Sequence, residues 1–581
     1  MRLRVFALKV FQMGFDTIIK SGRVIDGSGL PMRIADVGIK DGIVTDVGHL
    51  DGARRVIDAN GLMVIPGIVD AHTHYDPQLS FEPYGTSSCF HGVTSVVAGN
   101  CGYSIAPCRP EDHPYLTALF AKVEGMTPSV LEQGLPWDWE SFPSFLDALD
   151  KRLGINMACY LGHSALRRYV MGEAASERAA DADELARMRT LVREAMHAGA
   201  AGFSTSLSPT HVDQFDQPVP SRRAAYDEVR ALIEATGEGG AGSICFLPGT
   251  AARGLDEEDR TRLIELATRS GLPIVVQGIT KRVGNPAQWA DSVAFLEDAR
   301  RQGAAIFSVL RTQPFMRPFN WKRGTSLYDG IFEWRDLSSL PVAERLKRLR
   351  DPQLRPALRE AFDHPNTDGA KSSTLPPPPL ATVFVDVSRS DPGAVGKSLV
   401  QLAAERRVHA ADIMAELAAA DDLETQFLWN SENADWAAAN ADAQRNPHMI
   451  IGTGDGGAHA DRDDGAEWST YYIRHWLLER GNTTLEEGIR RITHLPAMIC
   501  GIKNRGLLAR GYNADVVLID PSRLRLGKKE LVNDMPGGEP RWQVRPEGIA
   551  RVLVNGETIV QDGELTGVRA GRVLRVGNPK A

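Results

Sequence analysis

The feature that most constrains the fold is an alternation of short apolar segments with helical segments through the middle of the chain. Residues 243–247, 272–277 and 304–310 are continuously apolar, or nearly so. Between them, residues 256–270 place leucine and isoleucine on one helical face, and residues 286–302 begin with a proline in the first turn. Short apolar strands separated by helices indicate a parallel sheet that is buried on both faces.

The same alternation extends in both directions and gives eight candidate strands. Eight strand–helix units predict an α/β fold, a closed (β/α)8 TIM-like barrel with its active site at the carboxyl ends of the strands. A doubly wound open sheet is the alternative, but it would need a phosphate-binding glycine turn after the first strand, which the sequence lacks. The candidate strands lie near residues 63–69, 94–99, 155–161, 200–205, 243–247, 272–277, 304–310 and 448–455.

The two ends of the chain carry short alternating strands instead, which predicts one small β-sandwich assembled from both termini. The gap between the seventh and eighth candidate strands is too long for a loop, and we expect it to be an inserted subdomain that covers the site. The predicted divisions are an N-terminal extension (1–14), a composite β-sandwich (15–69 and 503–581), and the barrel (70–502) with its inserted subdomain (about 311–446).

Charge and composition argue against several classes of function. The chain has 66 Lys and Arg against 74 Asp and Glu, a net charge of −8 that gives no support to nucleic-acid or anionic-membrane binding. No apolar run approaches the roughly 18 residues of a membrane span. The six cysteines are irregularly spaced, which favours a reducing, cytoplasmic location over a disulfide framework. We therefore expect a small-molecule partner, and the sequence leaves a homo-oligomer open.

Two histidines directly follow the first candidate strand. His72 and His74 are two residues apart on extended backbone, which puts both imidazoles on the same side. Neutral imidazole is a good ligand for zinc and similar ions. A polar loop pair without chemistry is the usual alternative for so short a motif. Here the apolar strand before the pair, and Asp76 after it, favour a metal site.

Two further strand ends carry side chains of metal-binding type. Cys101 follows the second strand among small residues, where a thiolate ligand and a buried apolar cysteine are equally expected. Asp455 ends the last strand in a run of glycines, where a carboxylate can touch a metal ion and accept a proton from water. An aspartate that only shapes a glycine turn is the alternative. His459, four residues later, remains open between a structural and a functional role.

Together these motifs resemble the amidohydrolase superfamily and, within it, the N-acyl-D-amino-acid deacylase (D-aminoacylase) group, over nearly the whole chain. The resemblance implies a barrel that hydrolyses amides with a metal-activated water. It implies His72, His74, Cys101 and Asp455 as metal ligands, Asp455 as the catalytic base, and one or two zinc ions, or another divalent metal, as cofactor. The motifs that carry it are His72, His74, Asp455 and residues 99–102, 162–167, 202–206 and 505–515.

The chain departs from this family at the ends of the fifth and sixth strands. The usual histidines are missing there, where residues 245–248 read Cys-Phe-Leu-Pro and residues 276–278 read Val-Gln-Gly. No lysine ends the fourth strand to form a carbamate bridge. A two-metal site is therefore in doubt. His211 could supply a missing ligand or contact the substrate, and Gln277 could add a weak oxygen ligand.

A deacylase must also hold the carboxylate of its substrate. Arg222 and Arg311 are candidates because a guanidinium forks onto a carboxylate. His163, His211 and His459 complete the set of expected substrate-binding residues.

The predicted reaction is hydrolysis of a small N-acylated compound, such as an N-acyl-D-amino acid. Opening of a cyclic amide, or deamination, within the same superfamily is one alternative. A non-catalytic member of the superfamily is the other, and the joint presence of His72, His74, Cys101 and Asp455 argues against it.

Overall fold

The computed structural model describes most of the chain. Residues 1–13 of the predicted N-terminal extension, and His459, lie outside the described part. The described ranges are 14–251, 254–281, 286–325, 327–365, 377–458 and 465–577.

Eight parallel strands form the centre of the molecule and confirm the predicted TIM-like barrel. They lie side by side in chain order, and each pairs in parallel with the next. Nearly every residue in them is buried, as expected for a sheet covered on both faces. The strands are Ile68–Asp70, Val93–Ala98, Asn156–Gly162, Gly202–Ser206, Ser243–Leu247, Ile274–Val276, Ile306–Leu310 and Met449–Ile451.

Helices follow the strands and cover the outside of the barrel. The helix Ala182–Ala198 begins at Asp181, whose carboxylate accepts a hydrogen bond from the Glu184 amide, and ends at Gly199 in the left-handed region. Other helices outside the insertion are His113–Glu124, Pro128–Gly134, Phe142–Leu149, His163–Met171, Tyr226–Gly237, Glu257–Ser270, Pro286–Arg301, Trp468–Tyr471, Leu485–Ile492 and His494–Ile499.

Two backbone hydrogen bonds join the segments that follow the first and eighth strands. The His74 amide donates to the Gly456 carbonyl (2.8 Å), and the Asp455 amide donates to the His72 carbonyl (3.2 Å). These bonds connect the last strand to the first at the carboxyl end of the barrel. The predicted metal site lies directly at this junction.

A nine-stranded sheet combines the two termini within the described residues, as the sequence predicts. Val516–Ile519 from the C-terminal part pairs with Met63–Pro66 from the N-terminal part. The N-terminal strands are Phe15–Val24, Arg33–Lys40, Ile43–Gly48, Ala53–Asp58 and Met63–Pro66, and the C-terminal strands are Val516–Ile519, Ile549–Val554, Glu557–Gln561 and Glu564–Leu565.

The predicted first strand, 63–69, is in fact two strands in two different sheets. Met63–Pro66 belongs to the terminal sheet, and Ile68–Asp70 is the first barrel strand. Gly67 lies between them and donates its amide hydrogen to the Asp515 carbonyl (2.8 Å). A Cβ atom at this position would lie 2.0 Å from the Thr94 hydroxyl oxygen, so the crossing from one sheet to the other requires glycine.

The long segment between the seventh and eighth strands forms a small unit of its own. Its apolar core, which includes Trp321, Trp334 and Phe427, is separate from the core of the barrel. Its sheet consists of Met316–Phe319, Gln426–Asn430 and Val383–Val387. Its helices are Phe332–Ser339, Val342–Arg350, Arg355–Asp363, Leu399–Arg406, Ala410–Ala420 and Ala434–Arg445.

A two-stranded ribbon, Arg525–Met535 paired with Glu539–Glu547, leaves the terminal sheet and was not predicted. It packs against the segment after the first barrel strand, where the Arg541 guanidinium donates to the Thr86 carbonyl (2.6 Å). In the described part of the chain, no helix has the length and apolarity needed to cross a membrane.

Candidate metal and active site

Three predicted ligands meet at the carboxyl ends of the first two barrel strands. The ligand atoms of His72, His74 and Cys101 all lie within 4.8 Å of one another, and all three side chains are buried. The Cys101 Sγ atom is 3.6 Å from Nε2 of His72. Two imidazoles and a thiol are a donor set that suits zinc and similar ions. The residues present therefore fit the divalent ion that the sequence predicts.

Asp455 reaches the same centre from the eighth strand. Its Oδ1 atom is 3.4 Å from Nε2 of His74 and 3.8 Å from Nε2 of His72. The side chain is 33% exposed, so the carboxylate faces the cavity as well as the histidines. The backbone φ of Asp455 is +52°, a left-handed conformation that aspartate and asparagine adopt more readily than most residues.

The loop that carries Cys101 is fixed by hydrogen bonds to its neighbours. Cys101 has a φ of +57° inside the short turn Asn100–Gly102. The Asn100 side-chain amide donates to the carbonyls of Thr73 (3.0 Å) and Val97 (2.8 Å). The Asp76 carboxylate accepts from the Gly99 amide (3.2 Å). These bonds hold the cysteine loop against the backbone between the two histidines.

A buried carboxylate, Asp70, lies at the end of the first strand beside the metal centre. It accepts hydrogen bonds from Nε1 of Trp468 (2.8 Å) and from the backbone amides of His72 (3.1 Å) and Gly454 (3.4 Å). Burial raises the pKa of Asp70 to about 7, although these hydrogen bonds act in the opposite direction. Asp70 thus links the first strand to the segment that follows the eighth.

Two histidines near the centre have pKa values below the ordinary range of an imidazole. Burial, and then the neighbouring His74, lowers the pKa of His72 to about 3. The same two causes lower the pKa of His211 to about 3. The pKa of His74 is shifted in the opposite direction: burial lowers it, but Glu124, Asp455 and Cys101 outweigh burial and raise it well above the ordinary value.

A cavity of 580 Å³ opens over the metal centre at the carboxyl ends of the barrel strands. This volume falls within the range of about 300–1,000 Å³ typical of small-molecule sites. Leu247 and Gln277 line the cavity where the family usually has histidines. The Gln277 side-chain nitrogen is 2.7 Å from Nε2 of His72 and 3.1 Å from the Cys101 sulfur. The inserted unit contributes Phe315, Trp436 and Asn440 to the wall.

Two of the predicted substrate-binding residues, His211 and Arg311, line this cavity. Nδ1 of His211 is hydrogen-bonded to the Ser206 hydroxyl (2.8 Å), and the Arg311 guanidinium lies 4.4 Å from the ring centre of Phe315. Arg222 is not among the lining residues, and it donates to the His211 carbonyl (2.9 Å). His459 lies outside the described residues.

The structure does not bring His163 to the cavity. Its side chain is fully buried, Nδ1 accepts from the Thr205 hydroxyl (2.8 Å), and Nε2 donates to the Glu228 carboxylate (2.9 Å). The Arg167 guanidinium also donates to Glu228 (2.5 Å). With both ring nitrogens occupied, His163 packs the helix His163–Met171 against its neighbours.

Sequence reasoning missed Glu124, which lines the cavity beside the metal centre. It is the last residue of the helix His113–Glu124, and its Oε1 atom is 3.3 Å from Nδ1 of His74. Glu124 continues the buried stripe of Leu116 and Phe120 at four-residue spacing. An acidic residue on an otherwise apolar helical stripe is the one signal in the sequence that points to it.

Replacement of Cys101 by alanine should remove one of the three clustered ligand atoms. We expect metal affinity to fall by more than the roughly 10–100-fold that loss of a supporting residue causes. Metal content after dialysis against a weak chelator, measured by elemental analysis, provides the test. Cys89→Ala and Cys108→Ala are controls, since both cysteines are buried and neither belongs to the clustered set. Full metal retention in Cys101→Ala would exclude the thiolate as a ligand.

Replacement of Glu228 by glutamine should destabilise the fold without removing metal. Burial by itself would raise the pKa of Glu228, but the bond from His163 and the nearby Arg167 lower it to about 2. Loss of the carboxylate leaves Arg167 buried without its counter-charge, which costs about 3–5 kcal/mol of unfolding free energy.

The loss of unfolding free energy in Glu228→Gln should depend on pH. The folded-state pKa of Glu228 lies below the ordinary value of 4.5, so its contribution is complete well above that pH and is lost toward about pH 2. Urea unfolding should therefore show the full difference between variant and wild type at about pH 7 and a smaller one at about pH 3.5. A difference that does not depend on pH would contradict an ionised Glu228.

Comparisons with known proteins agree with this geometry. D-aminoacylase from Alcaligenes xylosoxydans xylosoxydans is 29% identical over 568 residues, which cover 96% of this chain and 97% of that protein. N-acyl-D-aspartate deacylase from the same organism is 28% identical over 576 residues, covering 97% and 95% respectively. A solved D-aminoacylase structure from work on its binuclear metal centre matches with a TM-score of 0.61 and 25% identity, covering 96% of this chain and 99% of that one. The sequence profile of the amidohydrolase family matches residues 55–560, and this chain therefore belongs to the amidohydrolase family.

Proposed function

We propose that this chain hydrolyses the amide bond of a small N-acyl amino acid of D configuration and that its metal ion is zinc. The observation that carries the proposal is the approach of Asp455 to Nε2 of both His72 and His74 at the inner end of the cavity. A carboxylate beside a metal-binding cluster is the arrangement that metal-assisted hydrolysis needs. The D-aminoacylase and N-acyl-D-aspartate deacylase relatives support the class of substrate.

In this proposal His72, His74 and Cys101 hold the ion, with Asp455 as a further ligand. When bound, a divalent ion polarises the amide carbonyl and lowers the pKa of water. Asp455 accepts a proton from the attacking water, because its carboxylate is open to the cavity. As the C–N bond breaks, Asp455 passes that proton to the amine nitrogen, and the products are a carboxylic acid and a free amino acid.

The charges along the cavity wall support an anionic substrate in a fixed orientation. Among the described lining residues, the acidic side chains are Glu124 and Asp455 at the metal end, whereas Arg311 supplies positive charge elsewhere on the wall and Lys281 is paired with the Asp442 carboxylate (2.5 Å). A substrate with its amide at the metal centre would direct its carboxylate toward Arg311. We propose His211 as a second contact to substrate, with Arg222 supporting it through the His211 carbonyl.

We also propose the domain divisions predicted from the sequence and a role for the insertion as a cover over the site. The terminal sheet, the barrel and the inserted unit support the domain divisions at 15–69 with 503–581, 70–502 and about 311–446. Residues of the insertion that line the cavity, such as Phe315 and Trp436, support its role as a cover over the site. Cytoplasmic location and homo-oligomer formation stay predictions.

A substrate panel tests the proposed reaction. Zinc-loaded protein should release amine from N-acetyl-D-amino acids, and it should act less on the L forms and on cyclic amides. A ninhydrin assay or chiral chromatography measures the product. Preferred opening of hydantoins or imides would replace the proposal with the cyclic-amide alternative, and no turnover in a metal-loaded sample would favour a non-catalytic member. Elemental analysis of protein purified without chelator should find about one zinc ion per chain, given one clustered ligand set.

Asp455→Asn tests the proton-transfer role. Asparagine keeps the size of the side chain and tolerates the left-handed backbone at this position, so the fold should remain intact. We expect kcat to fall by on the order of a hundredfold or more, with most of the metal retained. Parallel loss of metal and rate would make Asp455 mainly a ligand. An unchanged kcat would exclude both roles for Asp455.

A further inference from the structure

Glu124 is buried at a position that is electrostatically unfavourable for a carboxylate. Its side chain is 4% exposed, on the same helical stripe as the apolar Leu116 and Phe120. Desolvation penalises a buried carboxylate unless a donor or a positive charge faces it. The position is also the carboxyl end of the helix His113–Glu124, where the helix dipole disfavours negative charge. A purely structural role would be better served by an apolar residue, so the carboxylate needs another explanation.

The contact between Glu124 and His74 explains why a carboxylate is buried at this position. Oε1 of Glu124 is 3.3 Å from Nδ1 of His74, which is an ion-pair distance, and Nδ1 makes no hydrogen bond of regular geometry in the described part of the chain. The opposite ring nitrogen, Nε2, is the one that lies 3.4 Å from Asp455 on the metal side. The ring of His74 is therefore placed between the clustered ligands and the buried carboxylate.

This arrangement determines which nitrogen of His74 can bind a metal ion. A neutral imidazole carries one N–H, and the ligand atom is the nitrogen without it. A carboxylate accepts hydrogen bonds and does not donate them, so Glu124 favours the tautomer with the proton on Nδ1. Nε2 then presents its lone pair toward Cys101 and Asp455. Carboxylates that hold a ligating histidine in this way typically contribute 10–100-fold to metal affinity.

We propose that Glu124 is a positioning residue that holds the Nδ1–H tautomer of His74 and thereby sets the affinity of the site for its ion. The proposal rests on the metal site of the proposed function. Glu124 is the second carboxylate of the cavity, and it acts through His74, whereas Asp455 acts on the reacting atoms.

The first test locates the proton on the ring of His74. Nitrogen-15 NMR of histidine-labelled, zinc-loaded protein reports which ring nitrogen carries the proton, and His74→Gln identifies the signal by its loss. We expect Nδ1–H in the wild type and faster exchange of that proton with solvent in Glu124→Ala. An Nε2–H form of His74 in the wild type would overturn the proposal.

The second test measures zinc affinity by competition with a chromophoric chelator. Glu124→Ala should bind zinc about 10- to 100-fold more weakly than the wild type, and Glu124→Gln, which keeps an acceptor oxygen, should lose less. Glu132→Gln is the matched control, because Glu132 is an exposed glutamate on the next helix, Pro128–Gly134. Equal affinity in Glu124→Ala and wild type would overturn the proposal.

Cobalt substitution separates positioning from direct coordination. At saturating Co²⁺, Glu124→Gln should retain the wild-type absorption spectrum, since the set of ligand atoms is unchanged. A changed spectrum would make Glu124 itself a ligand and overturn the positioning role. These readouts do not use turnover, so a protein that binds metal as expected but cleaves no amide would contradict the proposed function alone.

Discussion

The hydrogen bonds between the ends of the first and eighth barrel strands hold the two parts of the proposed metal centre together. The histidines follow the first strand and Asp455 follows the last, so no local segment of the chain contains both. The backbones of His72 and His74 bond to those of Asp455 and Gly456, and the side chains of His72, His74 and Asp455 lie at the centre. Asp70 strengthens the same junction, because it accepts from Trp468 and Gly454 on the far side. The distance between the two histidines and Asp455 therefore depends on closure of the barrel, and a change that loosened this junction would separate them without altering any of these side chains.

The centre also shows how one protein can use carboxylates for different purposes. Asp455 is partly exposed and faces the cavity, whereas Glu124 is buried behind His74 and Asp70 is buried beside the junction. Burial disfavours the charged form of a carboxyl group, and hydrogen-bond donors or positive charges favour it. Asp70 has several donors and still has a pKa raised to about 7, because burial dominates. Exposure to the cavity is thus what distinguishes Asp455 as the group suited to exchange protons with water and substrate.

The sequence predicted those features that depend on local pattern. Short apolar segments identified all eight barrel strands, because a buried parallel strand needs a continuous apolar run. His72, His74, Cys101 and Asp455 were recognisable because each directly follows such a strand. The split at Gly67 was not predicted, since both strands of residues 63–70 are apolar and only the packing of Thr94 and Asp515 separates them. The contacts of Glu124 with His74 and of His163 with Glu228 could not be predicted, because each joins residues about 50 or more positions apart. The ribbon of residues 525–547 has many exposed side chains and therefore gave little apolar periodicity.

The terminal sheet has a consequence for how the protein is made on the ribosome. The strand Met63–Pro66 precedes His72 and His74 by only a few residues, and one of its edges is covered by Val516–Ile519. During synthesis that edge stays open until nearly the whole barrel has been translated. An unpaired apolar strand edge is a template for pairing with other chains, and partly made chains are prone to such misassembly. Nascent chains of this protein would thus expose an unpaired strand edge, beside an incomplete metal site, for most of their translation. The C-terminal strands would cover that edge once they have been translated.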